Sequence, residues 1–207
     1  MTILLSDPRV AAVPVLETGA PLVRLGPRFG PARALVRIDL ADRLRAAQAA
    51  LPAGVALRVA EGHRPVAAQR AIIETYSAQV RAARPGVDEA ELHRLTSRFV
   101  SPVAVAPHVA GAAVDLTLAG PDGTDLDLGT PIDATPEQSG GACYFAAPGI
   151  GAAARANRDL LARVLSGAGL VNYPTEWWHW SYGDRYWALL TGAPAALFGP
   201  VDERVPA

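Results

Sequence analysis

Two short segments of the chain place ionisable side chains where folded proteins seldom leave them bare. The first runs His108-Val-Ala-Gly111-Ala-Ala-Val-Asp115-Leu-Thr-Leu. A carboxylate inside a strand of small and apolar residues is costly unless it is paired, hydrogen-bonded or bound to a metal, so Asp115 needs a partner. Alternation turns it away from Val114 and Leu116, and Gly111 lets the preceding loop bend so that His108 returns to the same side. Taken singly, Asp115 reads equally as a satisfied structural carboxylate and His108 as a loop histidine. The second segment is Glu176-Trp177-Trp178-His179-Trp180, with an acid three residues ahead of a histidine in an aromatic, water-poor run where pKa values shift and metals bind. In a regular strand, positions i and i+3 face opposite sides. Both groups therefore serve one site only if Glu176 sits at an irregular strand start, which Pro174 and Thr175 supply; an exposed acid beside a backbone-bonded core histidine is the alternative.

Together the segments offer two histidines and an aspartate, the number of protein ligands a catalytic zinc site uses beside its open position. Glu176 is left over as a base. Upstream lies Glu61-Gly62-His63-Arg64-Pro65. Its arginine would by itself read as a solvated charge, but beside a metal site it becomes a candidate clamp on a developing oxyanion. The rest of the inventory narrows the options. Cys143 is the only cysteine, which excludes an intramolecular disulfide and a thiolate zinc cluster. The histidines are His63, His93, His108 and His179, with His93 on a charged helix face. All nineteen basic residues are arginine, so a lysine Schiff base and a P-loop lysine are excluded.

The elements that must position these groups follow from periodicity. Leu40, Leu44, Ala47 and Leu51 mark a helix with Asp39 as its N-cap, and Val55, Leu57 and Val59 mark a strand ending at Glu61-Gly62. Pro65 opens a helix carrying Ile72, Ile73, Tyr76 and Val80, which puts Arg64 at a strand-to-helix junction. Asp88 and Glu91 form a capping box ahead of Leu92, Leu95 and Phe99. Residues 112–118 read as a strand, 120–123 as a turn and 125–128 as the return limb of a hairpin. Residues 129–151 form a long Gly/Pro-punctuated connection, a length usually tied to function. A helix over 152–166, an aromatic strand-like stretch over 170–182 and a terminal helix with Tyr186 and Trp187 complete the chain; residues 1–37 read as extended, wrapping segments.

The 207 residues, 50% hydrophobic and 19% charged, suit one globular domain. A net charge of −1 gives no bulk attraction to nucleic acid or an anionic membrane. The first ten residues lack the pattern of a signal peptide, and no apolar run approaches the ~20 residues of a membrane helix, so a soluble, cytoplasmic protein is expected.

With these motifs in place, the sequence resembles a known family. His108-x-x-Gly111-x-Ala113-x-Asp115, Glu176-Trp177-Trp178-His179 and the upstream Gly62-x-Arg64-Pro65 are similar in order and spacing to the zinc D-Ala-D-Ala dipeptidases of the VanX type, within the larger group of zinc D,D-peptidases. Asn157-Arg158-x-Leu160-Leu161 resembles the family's penultimate helix, and the likeness covers roughly residues 55–182 of a single domain. It implies an α+β fold with a central antiparallel sheet and helices packed mainly on one side. It implies one Zn²⁺ per chain on His108, Asp115 and His179, Glu176 as general base and Arg64 as carbonyl polariser. Gly129-Thr-Pro-Ile-Asp133 resembles the segment whose acid meets the substrate ammonium, and His63 is a further candidate for the pocket. The chain departs from the family at Ala106-Pro107, where a serine usually precedes the first histidine, at His63, where an aromatic is usual, and in the amino-terminal pocket pattern. The implied reaction is hydrolysis of a small D-amino-acid dipeptide by metal-activated water. Other readings are a zinc amidase or peptidase of changed specificity in biosynthesis and a zinc-stabilised module that binds peptide without cutting it.

Overall fold

The protein is described by a computed structural model covering residues 2–201. Its centre is a four-stranded antiparallel sheet in the order β3-β4-β6-β5, formed by β3 (Ala56–Glu61), β4 (Ala113–Ala119), β5 (Val171–Asn172) and β6 (His179–Ser181). A separate two-stranded ribbon pairs β1 (Leu22–Arg24) with β2 (Leu35–Arg37). Every residue of β4 is buried, and its two faces differ in chemistry. Val114, Leu116 and Leu118 enter the main core with Leu40 and Leu44 of α2 (Ile38–Ala49) and Leu161 and Leu165 of α5 (Ala152–Gly167). The alternate positions, Asp115 and Thr117, turn to the other face.

On that other face, α3 (Val66–Ala83) and α4 (Glu89–Thr96) pack on one another around Tyr76, Val80, Leu92 and Leu95. Gln69 and Ile72 of α3, with Phe99 to Ser101 in the segment after α4, border the cavity that holds Asp115. Asp88 caps α4 as expected, accepting from the Glu91 N–H at 2.8 Å. Asp39 is not a cap: α2 begins at Ile38, whose N–H donates to the Pro21 carbonyl at 3.0 Å, so a tertiary contact satisfies a donor that a side-chain cap would otherwise take.

Two further expectations are corrected. Residues 1–37 are not simply extended, because α1 (Pro8–Ala12) forms under an Asp7 cap and packs against α6 (Arg185–Thr191). The return limb over 125–128 is not a strand. Ala119 and Asp125 make a single antiparallel bridge and the Leu126 N–H reaches the Leu118 carbonyl. The ladder then ends, because the Leu128 carbonyl is taken by Arg158 Nε at 2.7 Å. Among the described residues no helix is long and apolar enough to cross a membrane.

Candidate active site

The sheet register assembles the site. Asp115 on β4 is directly opposite His179 on β6, and a bulge between Val59 and Glu61 brings Glu61 opposite Asp115 from β3. His108 reaches the same point from the loop before β4, through a turn in which Gly111 holds φ of 65°. Glu176 arrives by a local irregularity. Its N–H donates to the Tyr173 carbonyl at 2.9 Å and the His179 N–H donates to the Glu176 carbonyl at 3.3 Å. The chain therefore turns before β6, and the acid and the histidine that a straight strand would separate come to one side, with Glu176 Oε2 3.8 Å from His179 Nδ1.

His108, Asp115 and His179 each offer a ligand atom, all within 4.8 Å of one another, and all three residues are buried. His108 Nδ1 donates to the Gly62 carbonyl at 2.7 Å, which leaves Nε2 with its lone pair turned inward. That atom lies 3.1 Å from His179 Nδ1, which in turn lies 3.1 Å from Asp115 Oδ1; Asp115 Oδ2 is 3.3 Å from His108 Nε2. One proton satisfies one pair in this triangle, whereas a cation at its centre satisfies all three donors. Buried His179 Nε2 has no hydrogen-bond partner, so the ring is not held in place by an outer hydrogen bond and its inner nitrogen is what the site uses. The donor set thus fits a divalent ion, and two imidazoles with one carboxylate suit zinc.

The charges around the triangle are strongly perturbed. Burial alone would raise Asp115, but His108 and His179 beside it hold it well below the usual carboxylate range. For His179 burial wins and its pKa falls, which favours the neutral ring a metal requires. Burial pushes Glu176 well up, and the charges of Asp115 and Asp133 push in the same direction. Both causes favour the protonated carboxyl over the carboxylate, the direction of shift that suits a group handing a proton on.

The cavity holding these groups has a volume of about 270 Å³ and is lined also by Glu61, Arg64, Gln69 and Asp133. Arg64 is firmly anchored. Nε donates to Glu61 Oε1 at 2.7 Å, NH2 to the other Glu61 oxygen and NH1 to Gln69 Oε1 at 2.8 Å. Gln69 is fixed in turn, 2% exposed, its Nε2 donating to the Ser101 carbonyl at 2.7 Å. A guanidinium has five N–H groups, so two remain for a ligand. Asp133 sits in a left-handed conformation, φ 64°, and its carboxyl is pushed up to about 6 by burial and by the charges of Asp115 and Glu61.

His63 is the expected pocket residue that the structure does not bring to the cavity. Its N–H donates to the Leu35 carbonyl at 2.6 Å, and its half-buried ring lies in the field of Arg37 and His108, with Nε2 unpartnered. Hooking the backbone to β2 carries the side chain away from the lining set. Glu61 and Gln69 were not singled out as functional. The acid at the end of β3 was legible as a position, but the bulge that aims it was not, and Gln69 carries no signal beyond lying one helical turn into α3. Leu5 was missed as well. Its side chain is 3% exposed and lines the cavity, because its N–H donates to the Tyr173 hydroxyl at 3.2 Å and the Ser6 N–H to Ser97 Oγ at 2.8 Å. Ile72, Phe99 and Val100 extend this apolar wall.

A buried donor triangle on an antiparallel sheet, with a carboxyl and an anchored guanidinium sharing its cavity, defines an α+β metallohydrolase. The family model described as D-ala-D-ala dipeptidase matches residues 28–191, and the chain belongs to that peptidase family. The D-alanyl-D-alanine dipeptidase of Synechocystis sp. is 28% identical over 167 residues, which cover 71% of this chain and 67% of that relative. VanYB in complex with D-Alanine-D-Alanine aligns with a TM-score of 0.49 at 19% identity, covering 85% of this chain and 87% of that one. A vancomycin-resistance D,D-pentapeptidase VanY variant in complex with Zn(II) aligns at 0.46, also at 19% identity, covering 88% of this chain and 86% of its own.

Proposed function

We propose that the protein is a zinc-dependent dipeptidase acting on D-alanyl-D-alanine or a related small D-amino-acid dipeptide. The observation that carries this reading is the convergence of His108, Asp115 and His179 beside Glu176, in one cavity with Arg64 and Asp133. His108, Asp115 and His179 are the residues that would hold the ion. Zn²⁺ supplies Lewis acidity toward a scissile carbonyl and lowers the pKa of water from 15.7 toward about 7.

The remaining work falls to the chain's own groups. Glu176 accepts a proton at its carboxylate from the attacking water and delivers it to the leaving amine, a role its raised pKa and its place beside His179 support. The two unused N–H groups of Arg64 donate to the oxygen that gains charge as the carbonyl becomes tetrahedral. Asp133 pairs with the substrate's free ammonium and so favours a short substrate with an unblocked amino end. The near-neutral net charge is consistent with a small zwitterion recognised by such local charges.

The test is an activity screen of the zinc-loaded protein across D,D-, L,D-, D,L- and L,L-dipeptides, followed by amino-group release. The panel includes larger apolar side chains, because Leu5, Ile72, Phe99 and Val100 form one wall. Hydrolysis confined to free-amino dipeptides with a D residue supports the proposal. Zinc bound at one per chain with no dipeptide turned over would instead favour the peptide-binding module.

A further inference from the structure

The segment from Leu128 to Phe145 contains no helix or strand, yet it delivers Asp133 to the cavity. A chain of that kind has few ladder hydrogen bonds to hold it, and ordering it costs backbone entropy at every residue. Part of the order is internal, through contacts such as Ser139 N–H to the Thr135 carbonyl at 3.0 Å and Tyr144 N–H to the Gly141 carbonyl at 3.1 Å. These turns shape the middle of the segment but do not join its ends.

The side chain of Arg158 does that directly. Arg158 of α5 is 0% exposed and faces no carboxylate within ion-pair distance among the described residues. Its Nε donates to the Leu128 carbonyl at 2.7 Å, NH2 to the Ala142 carbonyl at 2.8 Å, and NH1 to the Tyr144 and Phe145 carbonyls at 2.6 and 3.2 Å. The first acceptor opens the segment and the other three close it. Gly129 is shaped for this approach: at φ 90°, an added Cβ would stand 3.2 Å from Arg158 NH2. The guanidinium also lies 5.6 Å from the centre of the Trp177 ring, whose N–H groups tie back to the same segment, the backbone to the Cys143 carbonyl at 3.0 Å and Nε1 to Thr130 Oγ1 at 2.8 Å.

A buried charge without a counter-charge is a poor way to gain stability, since apolar side chains of similar volume often do as well or better. What a planar fork does, and an apolar side chain or an ammonium cannot, is fix several acceptors in set directions at once. We propose that Arg158 is a positioning residue for the active site: by gathering the carbonyls of both ends of the 128–145 segment it sets where Asp133 stands. This rests on the dipeptidase reading of the cavity.

The experiment is a double-mutant cycle on the zinc-loaded full chain with Arg158→Met, Asp133→Asn and both together, using a free-amino dipeptide, with amide hydrogen exchange measured in parallel. Arg158→Met is expected to raise KM by about tenfold or more, the loss of a hydrogen bond to a charged group, with kcat within about threefold and zinc stoichiometry unchanged. Exchange over 128–145 is expected to accelerate. In the Asp133→Asn background the same substitution is expected to change KM by less than about twofold, since sites acting through one contact are not additive. Arg158→Lys is expected not to rescue. An unchanged KM in a protein that has only lost thermal stability would overturn the proposal, as would an equal KM effect with and without Asp133. If the wild-type chain turns over no dipeptide, the dipeptidase reading fails by itself, and unchanged exchange over 128–145 in Arg158→Met would separately overturn the role given to Arg158. Should Arg158→Met fail to fold, Gly129→Ala, which crowds NH2, is expected to give the same KM pattern more weakly, and its absence counts against the proposal.

Discussion

Replacing Arg64 by lysine keeps the charge and removes the geometry, which makes it a sharp probe of the cavity. Arg64 uses three of its five N–H groups for anchoring, two on Glu61 and one on Gln69, and the proposed mechanism gives the other two to the reacting oxygen. An ammonium has three donors in all. Either the lysine satisfies Glu61 and Gln69 with nothing left to donate, or it turns to the substrate and leaves the Gln69 amide oxygen buried without a partner. Losing one oxyanion donor costs about 10²–10³-fold, or about 2.7–4 kcal/mol of transition-state stabilisation. Because the contact forms as charge develops, kcat and kcat/KM should fall together. Zinc content should stay at wild-type level, since Arg64 is not among the converging donors. Stability should hold if the lysine keeps Gln69 and fall by about 1–3 kcal/mol if it leaves that buried amide oxygen unpaired, since Gln69 is 2% exposed. The assay is steady-state kinetics on the zinc-loaded Arg64→Lys variant, with metal analysis on the same sample. Activity within about threefold of wild type would refute the donor accounting.

Other outcomes follow from the same geometry. Chelation should lower stability by about 2.7 kcal/mol relative to protein at free zinc 100-fold above Kd, seen in a melting curve as a drop of about 5–10 °C for a domain of this size; an unchanged Tm would argue against a bound ion. Asp133 is ionised above about 6 and neutral below it, so its ionised fraction falls about tenfold between pH 7 and pH 5. KM for a free-amino dipeptide should therefore rise as pH falls through that range, and Asp133→Asn should flatten the rise. Gly62→Ala would drive a Cβ into the Leu35 carbonyl and displace the Gly62 carbonyl that orients His108. Loss of such an outer partner typically costs about 10–100-fold in metal affinity, measurable by competition with a chromophoric chelator, and unchanged affinity would remove Gly62 from the account.

The parts of the site that were legible in the sequence are those that break a local rule. Asp115 in an apolar strand and Glu176 in an aromatic run are out of place for packing, and the structure places both in one cavity with His108 and His179. What was illegible depends on backbone events of no fixed composition. The bulge that turns Glu61 toward Asp115 is one inserted residue, Ala60, and nothing in Val59-Ala60-Glu61 announces it. The wall contributed by Leu5 depends on hydrogen bonds to Tyr173 and Ser97, far along the chain. The strand expected over 125–128 had a fair alternating pattern, and it was undone by the Asp127 carboxylate accepting from the Gly129 N–H at 2.8 Å and by Arg158 capturing the Leu128 carbonyl. In the same way Asp39 had the chemistry of a cap and lost the position to the Pro21 carbonyl. Local propensity yielded in each case to a tertiary partner that a reading along the chain does not see.

The measurement that bears most directly on the whole account is kcat for D-alanyl-D-alanine in Glu176→Gln against wild type, both zinc-loaded and analysed for metal. The variant keeps the size of the side chain and the three converging donors but cannot accept a proton. Stoichiometric zinc is expected in both proteins, with a kcat lower by about 10²–10⁴-fold in the variant. Equal turnover in the two would contradict it.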